Sequence, residues 1–168
     1  MKPPIILIEF IILLPILFIS CNKNKTIDNQ KPHIDISINQ AFPRNCDTLY
    51  FGETFTFKAS FTDNVELGSD KAFSIDIHNN FEHHSHSTEV NECNLNPKKT
   101  PINPFKYIED FDIPAGSSRY LTDVKISIPA YNANGYFDEG DYHYFISLSD
   151  KEGWTTQKGI SIKILYRK

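Results

Sequence analysis

The sequence predicts an all-β protein, a β-sandwich of about seven short strands, with a small barrel as the alternative. Two observations predict this fold class. From residue 33 onward, apolar and polar residues alternate with a period of two, which is typical of half-buried strands. In addition, no stretch carries a stripe of apolar residues at helical spacing over three turns. The 168 residues leave room for one such domain.

The alternating segments are short and are separated by turn-forming residues. Pro114 and Pro129 end two of them, because proline cannot donate a ladder hydrogen bond. Asp150 to Gly153 has the composition of a hairpin turn between the last two. In chain order the predicted strands cover residues 33–38, 51–62, 72–79, 105–113, 120–128, 142–149 and 159–166.

The N-terminus predicts a lipoprotein signal peptide over residues 1–20. Lys2 gives a positive start, residues 5–19 are almost wholly apolar, and the run is too short for a comfortable membrane-spanning helix. Phe18 to Cys21 resembles a bacterial lipobox, which implies a lipid on Cys21. We expect a flexible tether over residues 21–32 and the sandwich domain over residues 33–168. The alternative is an uncleaved helix as the anchor.

Either anchor holds the domain in the cell envelope, outside the cytoplasm. The residues after Cys21 are polar and lysine-rich without an acidic run, which favours an outer-membrane protein that faces the periplasm over one exposed at the surface. In this compartment Cys46 and Cys93 are expected to form a disulfide. The alternative is that Cys93 is a free thiolate ligand.

The net charge and the motifs argue against two function classes. The net charge of −4 provides no basic surface for nucleic acid, so the expected partners are the membrane, through the lipid, and an envelope protein. The chain has neither a Gly-x-Ser-x-Gly elbow nor a His-Glu-x-x-His helix, and its adjacent carboxylates alternate between strand faces. We therefore expect no enzyme activity, and a metal-dependent hydrolase with an open zinc position is the alternative.

Histidine is concentrated in one place. Four of the six histidines fall between His78 and His86, directly after a predicted strand. Imidazole is the commonest metal ligand in proteins, so this segment predicts a metal site, and a solvated loop tip is the alternative.

Three segments carry a resemblance to a known family. Residues 140–153 resemble the closing F–G hairpin of bacterial Ig-like domains, and residues 53–63 resemble their strand B. With the His-rich residues 77–87, the chain resembles a family of uncharacterised Bacteroidota lipoproteins that has an Ig-like fold and a His-rich insertion. The resemblance implies an Ig-like, E-set-type sandwich in the envelope and implies no activity.

In the Ig order, the segments that contain His78 and His143 are strands C and F, which are antiparallel neighbours. Alternation places Ile77 and Tyr144 in the core, and therefore both histidines outside it at one end of the sheet. The loop that follows His78 emerges at the same end. The predicted metal ligands are His78, His84, His86 and His143, which would give four nitrogen ligands, or three with one position left for water. His83 or Glu82 could replace one of them. His33 is expected to be an ordinary surface residue.

The ligand types indicate the ion. Imidazoles with an occasional carboxylate suit Zn(II), the first choice, or Cu(II), and the only methionine is Met1, which excludes a thioether site. Asp138, Glu139 and Asp141 could hold Ca²⁺, but their spacing fits no EF-hand, and a solvated acidic turn is expected. The predicted function is a metal-binding module for sequestration or delivery. The alternative is an Ig-like accessory module of an outer-membrane complex or a glycan-binding system.

Overall fold

The computed structural model describes residues 27–168, so the predicted signal peptide and the lipidation site at Cys21 lie outside the described residues. Within this range the chain is all-β, and it contains no helix long and apolar enough to cross a membrane. The strands are β1 (His33–Asp35), β2 (Thr48–Tyr50), β3 (Thr54–Phe57), β4 (Ser60–Thr62), β5 (Phe73–Asn79), β6 (Tyr107–Phe111), β7 (Arg119–Leu121), β8 (Val124–Ser127), β9 (Tyr131–Asn132), β10 (Gly135–Tyr136), β11 (Gly140–Ser149) and β12 (Thr155–Leu165).

The strands form two layers, which confirms the predicted β-sandwich. One layer is a five-stranded sheet with the order β2-β12-β11-β5-β6, in which β2 is parallel to β12 and the other pairs are antiparallel. The opposite layer contains the three-stranded sheet β1-β4-β7 and the pair β3-β8. Thus β5 and β11, the predicted strands C and F, are antiparallel neighbours.

The inner faces of the two layers meet in an aromatic core. Phe57 contacts Tyr144 with ring centroids 5.6 Å apart, and Phe61 contacts Phe73 at 5.1 Å. All four side chains are buried, and so are Ile75 and the other inward residues of β5 and β11. Burial of this apolar surface is the main favourable term that holds the layers together.

Two predicted strands are interrupted where the sequence showed continuous alternation. The segment 51–62 divides into β3 and β4, and the segment 120–128 divides into β7 and β8. The breaks lie opposite each other and share Thr122, which is fully buried. Its hydroxyl oxygen accepts from Ala59 N at 2.7 Å, so the side chain replaces a ladder hydrogen bond. A local bend of this kind keeps the alternation of side chains and leaves no clear mark in the pattern.

The described part of the predicted tether packs against the domain. Asp28 and Pro32 are buried, although residues 21–32 were predicted to be flexible. Asp28 lies beside two aspartates of the sandwich, Asp63 and Asp150.

Candidate metal centre

The first half of the predicted site is a pair of histidines on neighbouring strands. His78 of β5 lies directly opposite His143 of β11 in the antiparallel ladder, and their ring centroids are 5.5 Å apart. The flanking Ile77 and Tyr144 point into the core and are fully buried. The two imidazoles therefore project from the outer face of the five-stranded sheet, as the alternation predicted.

The second half comes from the β5–β6 loop, residues 80–106, which folds back over that outer face. Thr88 N donates to Gly159 O at 2.8 Å, and Gly159 N donates to Thr88 Oγ1 at 3.2 Å. A Cβ atom on Gly159 would lie 2.4 Å from the carbonyl oxygen of His86. Glycine is thus required in β12 at this point, because the backbone of the loop lies directly on the strand.

Further contacts fix the loop to the sheet. A disulfide joins Cys46 to Cys93, and Asn96 N donates to Asp141 Oδ2 at 2.7 Å. As a consequence, His143 on the outer face is only 1% exposed. The sequence placed His143 outside the core, which is correct, but did not predict that the loop would cover it.

The four predicted histidines meet under this loop. His84 and His86 approach the strand pair, and all six distances between the ring centroids of His78, His84, His86 and His143 lie between 4.7 and 5.8 Å. A zinc ion bound to four imidazole nitrogens at about 2.0–2.1 Å would hold the ring centroids about 5 Å apart. The rings therefore have roughly the mutual spacing of a tetrahedral four-histidine site.

Fewer histidines converge when the distances are measured between ring nitrogens than when they are measured between ring centroids. One ring nitrogen from each of His78, His84 and His86 lies within 4.8 Å of the other two, and His143 is not in that group. However, His143 Nε2 lies 3.0 Å from the carbonyl oxygen of His84, which can only accept, so Nε2 carries the proton. Its Nδ1 lone pair is then left buried with no hydrogen-bond partner among the described residues.

A carboxylate orients His78 in the same manner. His78 Nδ1 lies 3.0 Å from Asp76 Oδ1, two residues earlier on the same face of β5. Because the carboxylate accepts, Nδ1 donates and Nε2 keeps its lone pair for a ligand. Metal-binding histidines usually donate their second ring N–H to a carboxylate or a backbone carbonyl, and His78 and His143 show one case of each.

The surroundings lower the pKa of two of the imidazoles. Burial lowers the pKa of His143 to about 4, and the neighbouring His84, His78 and His86 lower it further, against the hydrogen bond to the His84 carbonyl. Partial desolvation also lowers the pKa of His84, although this side chain is exposed, and His86 and His78 add to the effect. A metal ion binds the unprotonated nitrogen, so at neutral pH these two ligands would not have to lose a proton first.

The two named substitutes lie outside the cluster. His83 Nε2 is 2.8 Å from the carbonyl oxygen of Asn96, so this ring anchors the loop. Glu82 is exposed and lies near enough to raise the pKa of His84, but its carboxylate is not among the ligand atoms that converge with those of His78, His84 and His86. His33 is exposed on β1, in keeping with the expected surface role.

The acidic segment before β11 is a structural turn. Asp138 Oδ2 accepts from the backbone of Ile102 and Asn103, at 2.7 and 2.8 Å. Asp141 is paired with Lys163 at 3.1 Å and accepts from Asn96. These carboxylates hold the β5–β6 loop in place. The expected solvated turn is therefore wrong for Asp141, which is only 3% exposed because the loop covers it.

Sequence reasoning missed three residues that shape the site. Asp76 lies two residues before His78, so alternation places both side chains on the outer face of β5, and this spacing could have predicted its contact with His78. Phe145 follows His143 on the same face, and its ring lies between 5.7 and 6.3 Å from those of His78, His86 and His143, forming an apolar side of the cluster. Gly159 within a strand was a signal for close backbone approach.

Comparison with known proteins gives a family and a distant likeness. A family model described as a domain of unknown function (DUF4625) matches residues 19–165. No curated protein matches the chain. Among solved structures, a mutant of the SrpA adhesin from Streptococcus sanguinis matches with 17% identity and a TM-score of 0.35. The match covers 84% of this chain and 57% of that one, so the chain spans little more than half of the adhesin chain.

Proposed function

We propose that this chain, which belongs to the DUF4625 family, is a metal-binding module that holds Zn(II), or else Cu(II), between His78, His84, His86 and His143. The observation that carries the proposal is the convergence of one ring nitrogen from each of His78, His84 and His86 to within 4.8 Å of the other two. The ring of His143 lies beside them, and its buried Nδ1 is an acceptor without a partner among the described residues. A buried polar atom without a partner costs free energy, and a metal ion at this place would remove that cost.

The arrangement favours zinc over copper. Zn(II) accepts a tetrahedral set of imidazoles, whereas Cu(II) prefers tetragonal geometry. The near-equal spacing of the four rings suits the tetrahedral choice. Four protein ligands leave no open position for water, so the site suits holding and transferring an ion better than catalysis.

The ligands divide into a fixed pair and an exposed pair. His78 and His143 lie on central strands, while His84 and His86 lie in the loop and are exposed. An ion could therefore enter or leave by displacement of the loop pair without opening the sandwich. This division supports sequestration or delivery as the role of the module.

The proposed setting is the cell envelope of a Bacteroidota bacterium. A lipid on Cys21 would anchor the domain at the outer membrane, facing the periplasm, and an envelope protein would be the partner that supplies or receives the ion. The motivation is the apolar segment 5–19 and the lipobox-like residues 18–21.

Metal titration tests the proposal. Calorimetric titration of the metal-free protein with Zn²⁺ is expected to show one ion per chain with a Kd below about 10 μM, because imidazoles that already lie close together need little reorganisation. The matched control is His33→Ala, which removes an exposed histidine away from the cluster and should leave the affinity unchanged. Absence of binding to Zn²⁺ and Cu²⁺ alike would refute the proposal.

A second candidate function is an interaction module for a protein or a glycan. The observation that favours it is the β9–β10 hairpin, where the rings of Tyr131 and Tyr136 are 66% and 71% exposed and contact each other edge to face at 5.9 Å. Exposed tyrosines are enriched in binding surfaces. The same titration separates the candidates, since this role requires no metal.

A further inference from the structure

A second cluster of ligating groups lies at the opposite end of the sandwich. Asp63 follows β4, Asp150 follows β11, and Asp28 precedes β1. One carboxylate oxygen from each of the three lies within 4.8 Å of the other two. His143 and Asp150 occupy opposite ends of β11, about 23 Å apart along the strand, so this cluster is separate from the histidines.

The three carboxylates share one pattern of hydrogen bonds. Each uses Oδ1 to accept from a nearby backbone N–H: Asp28 from Gln30 at 3.1 Å, Asp63 from Val65 at 2.8 Å, and Asp150 from Trp154 at 2.8 Å. These bonds fix the direction of each side chain. They also leave the second oxygen of each carboxylate unused by the turn.

The second oxygens of the carboxylates are the unusual feature of this cluster. Oδ2 of Asp28, Asp63 and Asp150 is buried and has no hydrogen-bond partner within residues 27–168. Asp28 is 8% exposed and Asp150 is 4% exposed, so two of the side chains are more than nine-tenths buried. No described lysine, arginine or histidine forms an ion pair with any of the three. A buried ionised carboxylate is stabilised by a paired cation or a bound metal ion.

We propose that Asp28, Asp63 and Asp150 form a Ca²⁺ site that fastens the start of the domain to the end of the sandwich. Carboxylate oxygens are the ligands of hard cations, and two oxygens on one calcium ion at 2.3–2.6 Å can be at most about 5 Å apart. The three oxygens lie within 4.8 Å of one another and therefore within that span. Water would complete the coordination.

The site would give calcium a mechanical role. Asp28 lies in the segment that leads into β1, while Asp63 and Asp150 belong to turns on the two layers. One ion would therefore join both layers and hold residues 28–32 against them. Without the ion, mutual repulsion of the three carboxylates would favour release of Asp28, the one that is not fixed by a strand beside it.

Thermal unfolding with and without calcium tests the proposal. For a Kd of about 10⁻⁴ M, typical of extracellular modules, 10 mM Ca²⁺ is expected to raise the Tm of the protein by about 5–10 °C. Asp150→Asn keeps a side-chain oxygen for Trp154 N and removes the charge, so it should lose most of this rise. Asp70→Asn is the matched control, an exposed aspartate at the same end, and should retain it.

Hydrogen exchange of the unaltered protein gives a second measurement that does not depend on a variant. Calcium should slow exchange of the backbone amides of residues 28–31. Three results would each overturn the calcium site. The first is that calcium changes neither the Tm nor the exchange of these amides. The second is that Asp150→Asn keeps the full rise in Tm, and the third is that 10 mM Mg²⁺ raises the Tm equally. Zinc titration of Asp150→Asn should match the unaltered protein, so the outcome is independent of the histidine site.

Discussion

Replacement of both loop histidines, His84→Ala with His86→Ala, is expected to weaken zinc binding on the order of a thousand-fold, or about 4 kcal/mol. Loss of a group that only hydrogen-bonds to a metal ligand typically lowers the metal affinity 10- to 100-fold. This variant removes two of the ligands themselves. Both side chains are exposed, so the free energy of unfolding of the metal-free variant should lie within about 0.5 kcal/mol of that of the unaltered protein. Competitive titration against a chelator of known zinc affinity measures the loss.

The control removes the same number of histidines from elsewhere. His33→Ala with His83→Ala leaves the four rings intact, and His83 lies in the same loop, where it anchors to Asn96. We expect this variant to bind zinc within about ten-fold of the unaltered protein, since only the ordering of the loop is weakened. An equal loss in the two double variants would show that the affinity reflects histidine content and no defined site.

Removal of the disulfide by Cys46→Ala with Cys93→Ala is expected to lower the free energy of unfolding by about 3–4 kcal/mol. The bridge joins residues 47 apart in sequence and restricts the unfolded chain accordingly. For a domain of this size the change corresponds to a Tm lower by about 10 °C. Urea unfolding of the metal-free protein in EDTA measures it, because metal binding is then absent from both samples.

The same variant should also bind zinc more weakly, since the bridge holds the loop that carries His84 and His86 over the sheet. The unaltered protein treated with a reductant provides the comparison and should behave as the variant does. An unfolding free energy within about 0.5 kcal/mol of the oxidised protein would contradict a structural role for the bridge.

The pairing of His78 with His143 was predictable because it depends on local rules. Alternation fixes the face of each residue, and adjacency of the predicted strands C and F fixes the end of the sheet. The position of the loop was not predictable in this way, since its contacts with Gly159 and Asp141 join residues far apart in sequence. For that reason the burial of His143 was missed.

The interrupted strands and the aspartate cluster show the same limit. Thr122 keeps the alternation of its segment, so the break beside it leaves the pattern intact. Asp28 lies in a polar segment that alone indicates a tether, and only the fold brings it to Asp63 and Asp150. Sequence patterns report local structure and faces, whereas these features depend on which distant turns meet.

The most direct test of the metal centre is X-ray absorption at the zinc edge of the protein loaded with one equivalent of Zn²⁺. The predicted result is four nitrogen ligands at about 2.0 Å with the outer-shell signal of imidazole. His143→Gln keeps a donor for the His84 carbonyl but removes the Nδ1 ligand, so its spectrum should show three imidazoles. Fewer than three imidazoles in the unaltered protein, or identical spectra for the two proteins, would contradict a site built from the strand pair and the loop.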